Sequence, residues 1–271
     1  MKINPYFITG SALGLLIILM SLISIFRSPN NLNEVDASIR LLPPSVNHLF
    51  GTDNLGRDIF SRVTAGGRNS LFLAVCTVTG AAVIGCILGL FAGYLGGITD
   101  GIIMRIIDTL SSFPGIILAL LLVAVIDNSQ YSLFTALLIL FIPSYTRVMR
   151  TGAMQYKNSL FVQAEKIIGA SFFRITFIHI LPNLAPQLVS ASVLGLSNAI
   201  LAESTMSYLG LGIQPPHPSW GRMLFESQAW FFSAPWYSLA PGVFIMLTVL
   251  SFHLLGEGIK ILFKGRGGIN G

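Results

Sequence analysis

The strongest constraint on this chain is a set of long stretches without a charged residue. Residues 3–26, 69–99, 109–126, 128–146 and 227–256 contain no Asp, Glu, Lys or Arg; a sixth stretch, 175–202, is broken near its start by Pro182 and Pro186. A bilayer core of about 30 Å is crossed by about 20 apolar residues at 1.5 Å each. Each stretch can therefore supply one membrane-spanning helix, and such spans exceed the length of buried helices in soluble cores. Composition agrees. Of the 271 residues 53% are hydrophobic and only 10% charged, against about 25% charged in a soluble domain. The expectation is an all-α polytopic membrane protein with six transmembrane helices, at roughly 7–26, 71–93, 105–126, 132–150, 187–208 and 238–262.

Several function classes fall away. The net charge of +5 fits juxtamembrane basic residues, not the dense basic face that nucleic acid requires. Cys76 and Cys86, ten positions apart on one expected helix, are separated by about 15 Å, too far for a disulfide. No C-x-x-C or paired His cluster suggests a metal, and no G-x-x-x-x-G-K-[ST] loop cradles nucleotide phosphates. No catalytic residue, metal or cofactor is assigned to the chain. No small-x-small cleavage site precedes Arg27, so the first span reads as a retained helix.

Basic residues set the orientation. Arg147, Arg150, Lys157, Lys166 and Arg174 lie between spans four and five, and Lys260, Lys264 and Arg266 lie in the tail. Six spans put both regions, and both termini, on one side, which is read as cytoplasmic. Residues 27–68 pull the other way with five Arg, partly offset by Glu34, Asp36, Asp53 and Asp58. The resulting division is 1–30, an N-terminal transmembrane helix; 31–70, an extracytoplasmic connecting segment; 71–262, a five-helix domain with a loop at about 151–186; and 263–271, a cytoplasmic tail.

The loop between spans four and five carries the most chemistry. Leu160, Phe161, Ala164, Ile167 and Ile168 form an apolar stripe at helical spacing, with Gln163, Glu165 and Lys166 mostly off it. Ser159 is a candidate N-cap, Gly169 a helix end with positive φ, and Ser171 the cap of a second helix running to Pro182. Such a hairpin either rests on lipid headgroups or docks into a groove on a soluble partner.

The stretch Gln163-Ala164-Glu165, Gly169, Ile180-Leu181-Pro182-Asn183 resembles the EAA loop of binding-protein-dependent ABC transporter permeases. It departs from the pattern at Gln163, for the usual acid, at Glu165, for the second Ala, and at His179, for the first residue of the Ile-x-Leu-Pro ending. Residues 51–71 (GTDNLGRDIFSRVTAGGRNSL), 108–125, 203–224 and 252–260 are similar to the dipeptide/oligopeptide/nickel branch, C-type subunit. The resemblance implies a type I importer permease fold with a cytoplasmic coupling-helix hairpin. It also implies a second (B-type) permease, two ATP-binding cassette subunits that use ATP and Mg, and an extracytoplasmic substrate-binding protein. Peptides or nickel-type complexes would be the cargo. Phe161, Gln163, Ala164, Glu165, Lys166 and Gly169 would couple ATPase closure to the spans.

Other positions have two readings each. Asp53, Arg57, Asp58 and Arg62 alternate in sign, as ion pairs and caps of a structural collar would; Asp53, Arg57 and Asp58 are alternatively contacts for a binding protein. Pro215, Pro216 and Pro218 preclude regular helix and make a rigid outer loop, which with Trp220 would serve the same docking. Glu203 and His253, polar groups within spans, line a translocation path or are internally paired. Glu257 and Lys260 are one turn apart and suited to pair. Gly85, Gly89 and Gly93 form a small face for close helix approach, by a neighbour within this chain or by a partner permease, the former being the preferred reading. The alternative function is a stand-alone ion-coupled secondary transporter, which needs mid-membrane carboxylates.

Overall fold

The structure of the protein, a computed structural model, describes residues 4–26, 32, 34–126 and 131–267. Among these residues there is no β-strand, and the charge-free stretches are helical. The principal elements are α1 (Pro5–Phe26), α2 (Ile59–Leu95), α3 (Gly97–Ser111), α4 (Gly115–Val125), α5 (Ser132–Tyr156), α6 (Leu160–Ile167), α7 (Leu181–Tyr208), α8 (Trp220–Ser227) and α9 (Pro235–Gly267). Among the described residues five helices are long and apolar enough to cross a membrane, and the α3–α4 pair makes a sixth if it is one bent span.

That pair corrects the expected straight third span. Its two halves meet at 92°. Pro114 has no N–H to continue the ladder and biases Phe113 away from helical torsions, so α3 stops at Ser111 and α4 restarts at Gly115. The second span is also longer than expected. Asp58 accepts the Ser61 backbone N–H at 2.8 Å and starts α2 at Ile59, so 59–70 is helix and not connecting segment. Pro182 does not end the hairpin's second helix either. Residues Arg174–Ile180 are π-helical, with the Leu181 N–H reaching back to the Thr176 carbonyl. This wider turn leads into α7 with proline in its first turn, where a missing N–H costs nothing.

The glycine face of α2 lies against α5. A Cβ on Gly85 would come within 2.5 Å of the Tyr145 Cβ, one on Gly89 within 2.6 Å of the Thr146 carbonyl oxygen, and one on Gly93 within 2.5 Å of the Arg150 carbonyl oxygen. These glycines let two membrane helices touch backbone to backbone. Gly89→Val should therefore cost about 3 kcal/mol, the upper end for overpacking, since backbone cannot yield as a side chain does. Gly101→Ala, where nothing lies within 4 Å, should be neutral. Thermal unfolding of the detergent-solubilised variants measures both.

The two ends of the bundle differ. At one, residues 34–58, α8 and the start of α9 fold into a cap. Leu41 N–H bonds Asp53 O at 3.0 Å, and the Trp220 indole donates to Val63 O at 2.9 Å. At the other end lie α6, the start of α1 and the end of α9. A Cβ on Gly258 would sit 2.8 Å from Phe7 Cα, while Tyr156, Asn183 and Lys260 share one groove. The beginning of α1, the end of α9 and the hairpin thus share one end of the bundle.

Candidate functional site

The hairpin is built by local rules. α6 begins after Ser159, whose backbone is extended but whose hydroxyl donates to Tyr156 O at 2.6 Å, so the expected side-chain cap is not made. The helix ends in a Schellman motif. Gly169 N–H bonds Lys166 O at 3.1 Å, and Ala170 N–H bonds Glu165 O at 3.0 Å. Gly169 takes φ +79° to close it.

One side chain pins α6 to the bundle. Val162 is fully buried among Cys86, Leu90, Met149, Ile175 and Leu184. At about 100° per residue, residues 160, 164 and 167 point within about 40° of the direction opposite Val162. The expected apolar stripe therefore faces away from the bundle. Leu160 is 84% exposed, Ile167 86% and Ile168 70%. Its polar neighbours are engaged locally. The Gln163 amide donates to Asn158 O at 2.9 Å, and the Lys166 ammonium lies 5.4 Å from the centre of the Tyr94 ring. The Glu165 carboxylate is 3.4 Å from His179 Nε2 and 3.7 Å from Arg174 Nε, bridging α6 to the π-helical turn.

At the cap end the alternating charges make the expected ion pairs. Asp53 accepts from Arg57 Nε at 2.6 Å and lies 3.5 Å from Arg62 Nε. Sequence reading missed Glu226, from α8, which holds Arg57 and Arg62 at 3.2 Å, Arg222 at 3.1 Å and the Tyr237 hydroxyl at 3.2 Å. Asp53 and Trp220 are fully buried, which takes these two off an exposed docking surface, while Asp58 caps α2 with its side chain still 23% exposed. Pro215 and Pro216 remain exposed on the outer loop.

Glu203 is likewise enclosed within the subunit. It is fully buried, accepts the Ser207 hydroxyl at 2.7 Å and has Ser204 at 3.5 Å, so it ties the end of α7 together internally. His253 is exposed on α9, one turn from Glu257, whose carboxylate pairs with Lys260 at 2.7 Å. No three His, Cys, Asp or Glu side chains converge among the described residues.

Residues 85–259, from the glycine face through the hairpin to the Glu257 turn, match the family model for the binding-protein-dependent transport system inner membrane component. The chain belongs to this family. It is 37% identical, over 99% of its length and 90% of the relative's, to the probable D,D-dipeptide transport system permease protein DdpC of Escherichia coli (strain K12). It is 41% identical, over 96% of its length and 86% of the relative's, to the dipeptide transport system permease protein DppC of Alkalihalophilus pseudofirmus. Among solved structures it resembles a chain of the MetNI methionine ABC transporter, with TM-score 0.58 and 17% identity over 72% of this chain and 94% of that one. The fold is that of a type I ABC importer permease.

Within the family's hairpin, two departures of this chain meet in space. Glu165 and His179, two positions at which the hairpin departs from the EAA pattern it resembles, are the two ends of one contact. Gly169 can be tested separately. Nothing lies within 4 Å of a Cβ there, so any penalty is purely that of a left-handed backbone, about 1–2 kcal/mol. Gly169→Val should lower transport with the complex still assembled, whereas Gly169→Asn, which tolerates this conformation, should retain it. Equal uptake by the two variants would remove the turn from the coupling argument.

Proposed function

We propose that this permease is half of the membrane channel of an ATP-driven importer for peptides. A separate binding protein delivers cargo at the cap end, and α6 takes the stroke of an ATPase subunit at the hairpin end. The observation that carries this reading is the outward apolar face of α6. A helix resting on lipid would turn its apolar side toward the membrane, where the bundle is. Here Val162 fills that side, and the larger face points into solvent, as a helix seated in a partner's groove requires. The hairpin and both termini are then cytoplasmic, in the inner or plasma membrane of the cell. A second permease closes the path, and two ATP-binding cassette subunits supply nucleotide and Mg. Nucleotide drives the cycle by binding one orientation of the spans more tightly than the other.

Peptides are preferred over nickel complexes because the relatives at 37–41% identity carry dipeptide names. The secondary-transporter alternative loses its one candidate carboxylate, since Glu203 is enclosed by serine hydroxyls. The deciding experiment is purification of the tagged chain from its native membrane, followed by reconstitution. A second permease and ATPases should co-purify, and uptake of a labelled dipeptide should require ATP and the binding protein. Uptake by the chain alone without nucleotide would establish the alternative.

A further inference from the structure

Resting on the reading above, one face of α7 deserves a role of its own. Asn183, Gln187, Leu194, Asn198, Leu201 and Thr205 recur every three to seven residues along one side of a helix that, with its π-helical entry, runs 35 residues. Gln187 and Asn198 are both exposed, and among the described residues neither side-chain amide has a hydrogen-bond partner. An amide facing hydrocarbon is costly, so an exposed intramembrane amide faces water or protein. At the hairpin end this face opens into a groove of ≈ 900 Å³ between α5, α7 and α9, walled by Tyr156, Asn183, Gln187, Leu194, Glu257 and Lys260. Between Arg174 and Glu203 the chain has no fixed charge, and Glu203 is fully buried. The α7 side of the wall is therefore neutral, with amides that both donate and accept. Its mouth carries one carboxylate and one ammonium, 40% and 47% exposed and paired to each other.

We infer that this α7 face is the subunit's wall of the translocation path, and that Gln187 and Asn198 bind the backbone amides of a passing peptide. The chemistry fits a zwitterionic peptide of variable side chain. Backbone N–H and C=O groups meet neutral amides, the terminal ammonium and carboxylate exchange with the Glu257–Lys260 pair, and no fixed charge selects a side chain. The path so placed replaces Glu203; His253, exposed one turn from Glu257, lies beside it on α9.

The test uses the complete reconstituted importer with labelled dialanine. Gln187→Leu and Asn198→Leu should each lower uptake at subsaturating peptide by up to roughly tenfold, the loss of one hydrogen bond, while binding-protein-stimulated ATPase activity persists. In a Cys76→Ala, Cys86→Ala background, Gln187→Cys and Asn198→Cys should react with a charged, water-soluble methanethiosulfonate. The reaction should block uptake and be slowed by excess peptide. Val189→Cys, in the apolar groove between α2 and α7, should react only with a lipophilic maleimide. Reaction of positions 187 and 198 with the lipophilic reagent alone would make this a lipid face, and reaction with neither would make it a permease–permease contact; either result overturns the inference. If the unmodified complex shows no ATP-driven dipeptide uptake, the peptide-importer reading itself fails instead.

Discussion

Replacing Leu160 and Ile167 together by Glu should release the ATPase subunits and lower ATP-driven uptake at least about 30-fold, as expected when anchors worth about 2 kcal/mol or more are lost. Both side chains are more than four-fifths exposed in the isolated subunit, at 84% and 86%. A charge there costs the lone chain nothing, so expression and thermal stability should be unchanged. In a closed groove each carboxylate would be desolvated without a partner. The contrast is Val162→Ala, which opens a cavity at the pin between α6 and the bundle. It should destabilise the hairpin while leaving the outward face chemically intact. ATPase subunits retained on the tagged permease, weighed against uptake, separate the two effects. Full retention by the double Glu variant would mean that α6 presents its apolar face to something other than the ATPase.

The apolar stripe of α6 was legible because helical spacing alone picks it out; its direction was not. Leu160, Ala164 and Ile167 make the same pattern whether they pack inward or outward. Only the burial of Val162 decides, and a single Val among many carries no signal. The spans were legible for a simple reason as well: length without charge has one stable home. Their bends were not, because hydropathy sums over a window and ignores Pro114. The first part of α2 read as a loop because of Arg62 and Arg68, yet Arg62 is buried. Its counter-charge, Glu226, is 164 residues away, and nothing local announces a pairing over that distance. For the same reason Asp53 and Trp220 looked like surface chemistry. Gln187 and Asn198 did leave a trace, two amides on one side of an apolar helix, but telling that side from a packed one required their exposure in the fold.

Glu226→Ala should be the most damaging single change at the cap. Three guanidiniums, of Arg57, Arg62 and Arg222, share this carboxylate within 3.2 Å. With Asp53 the cluster balances three positive charges against two negative. Removing Glu226 leaves Asp53 alone against all three, and Arg62 is only 2% exposed, so water cannot take over. Breaking a buried pair from one side costs about 3–5 kcal/mol, a large part of the roughly 5–15 kcal/mol that holds a domain folded. The expected result is loss of folded protein from the membrane and, in what survives, a midpoint of thermal unfolding many degrees lower. Glu226→Ala combined with Arg62→Met should recover part of the loss, because the double change removes the buried orphan charge while Arg57 keeps Asp53 at 2.6 Å. The coupling energy from this cycle separates an ion-pair effect from one of packing. If both the single and the double variant lose less than about 1 kcal/mol, the cluster is solvated, and the junction of α2, α8 and α9 must be held by the Trp220 contacts instead.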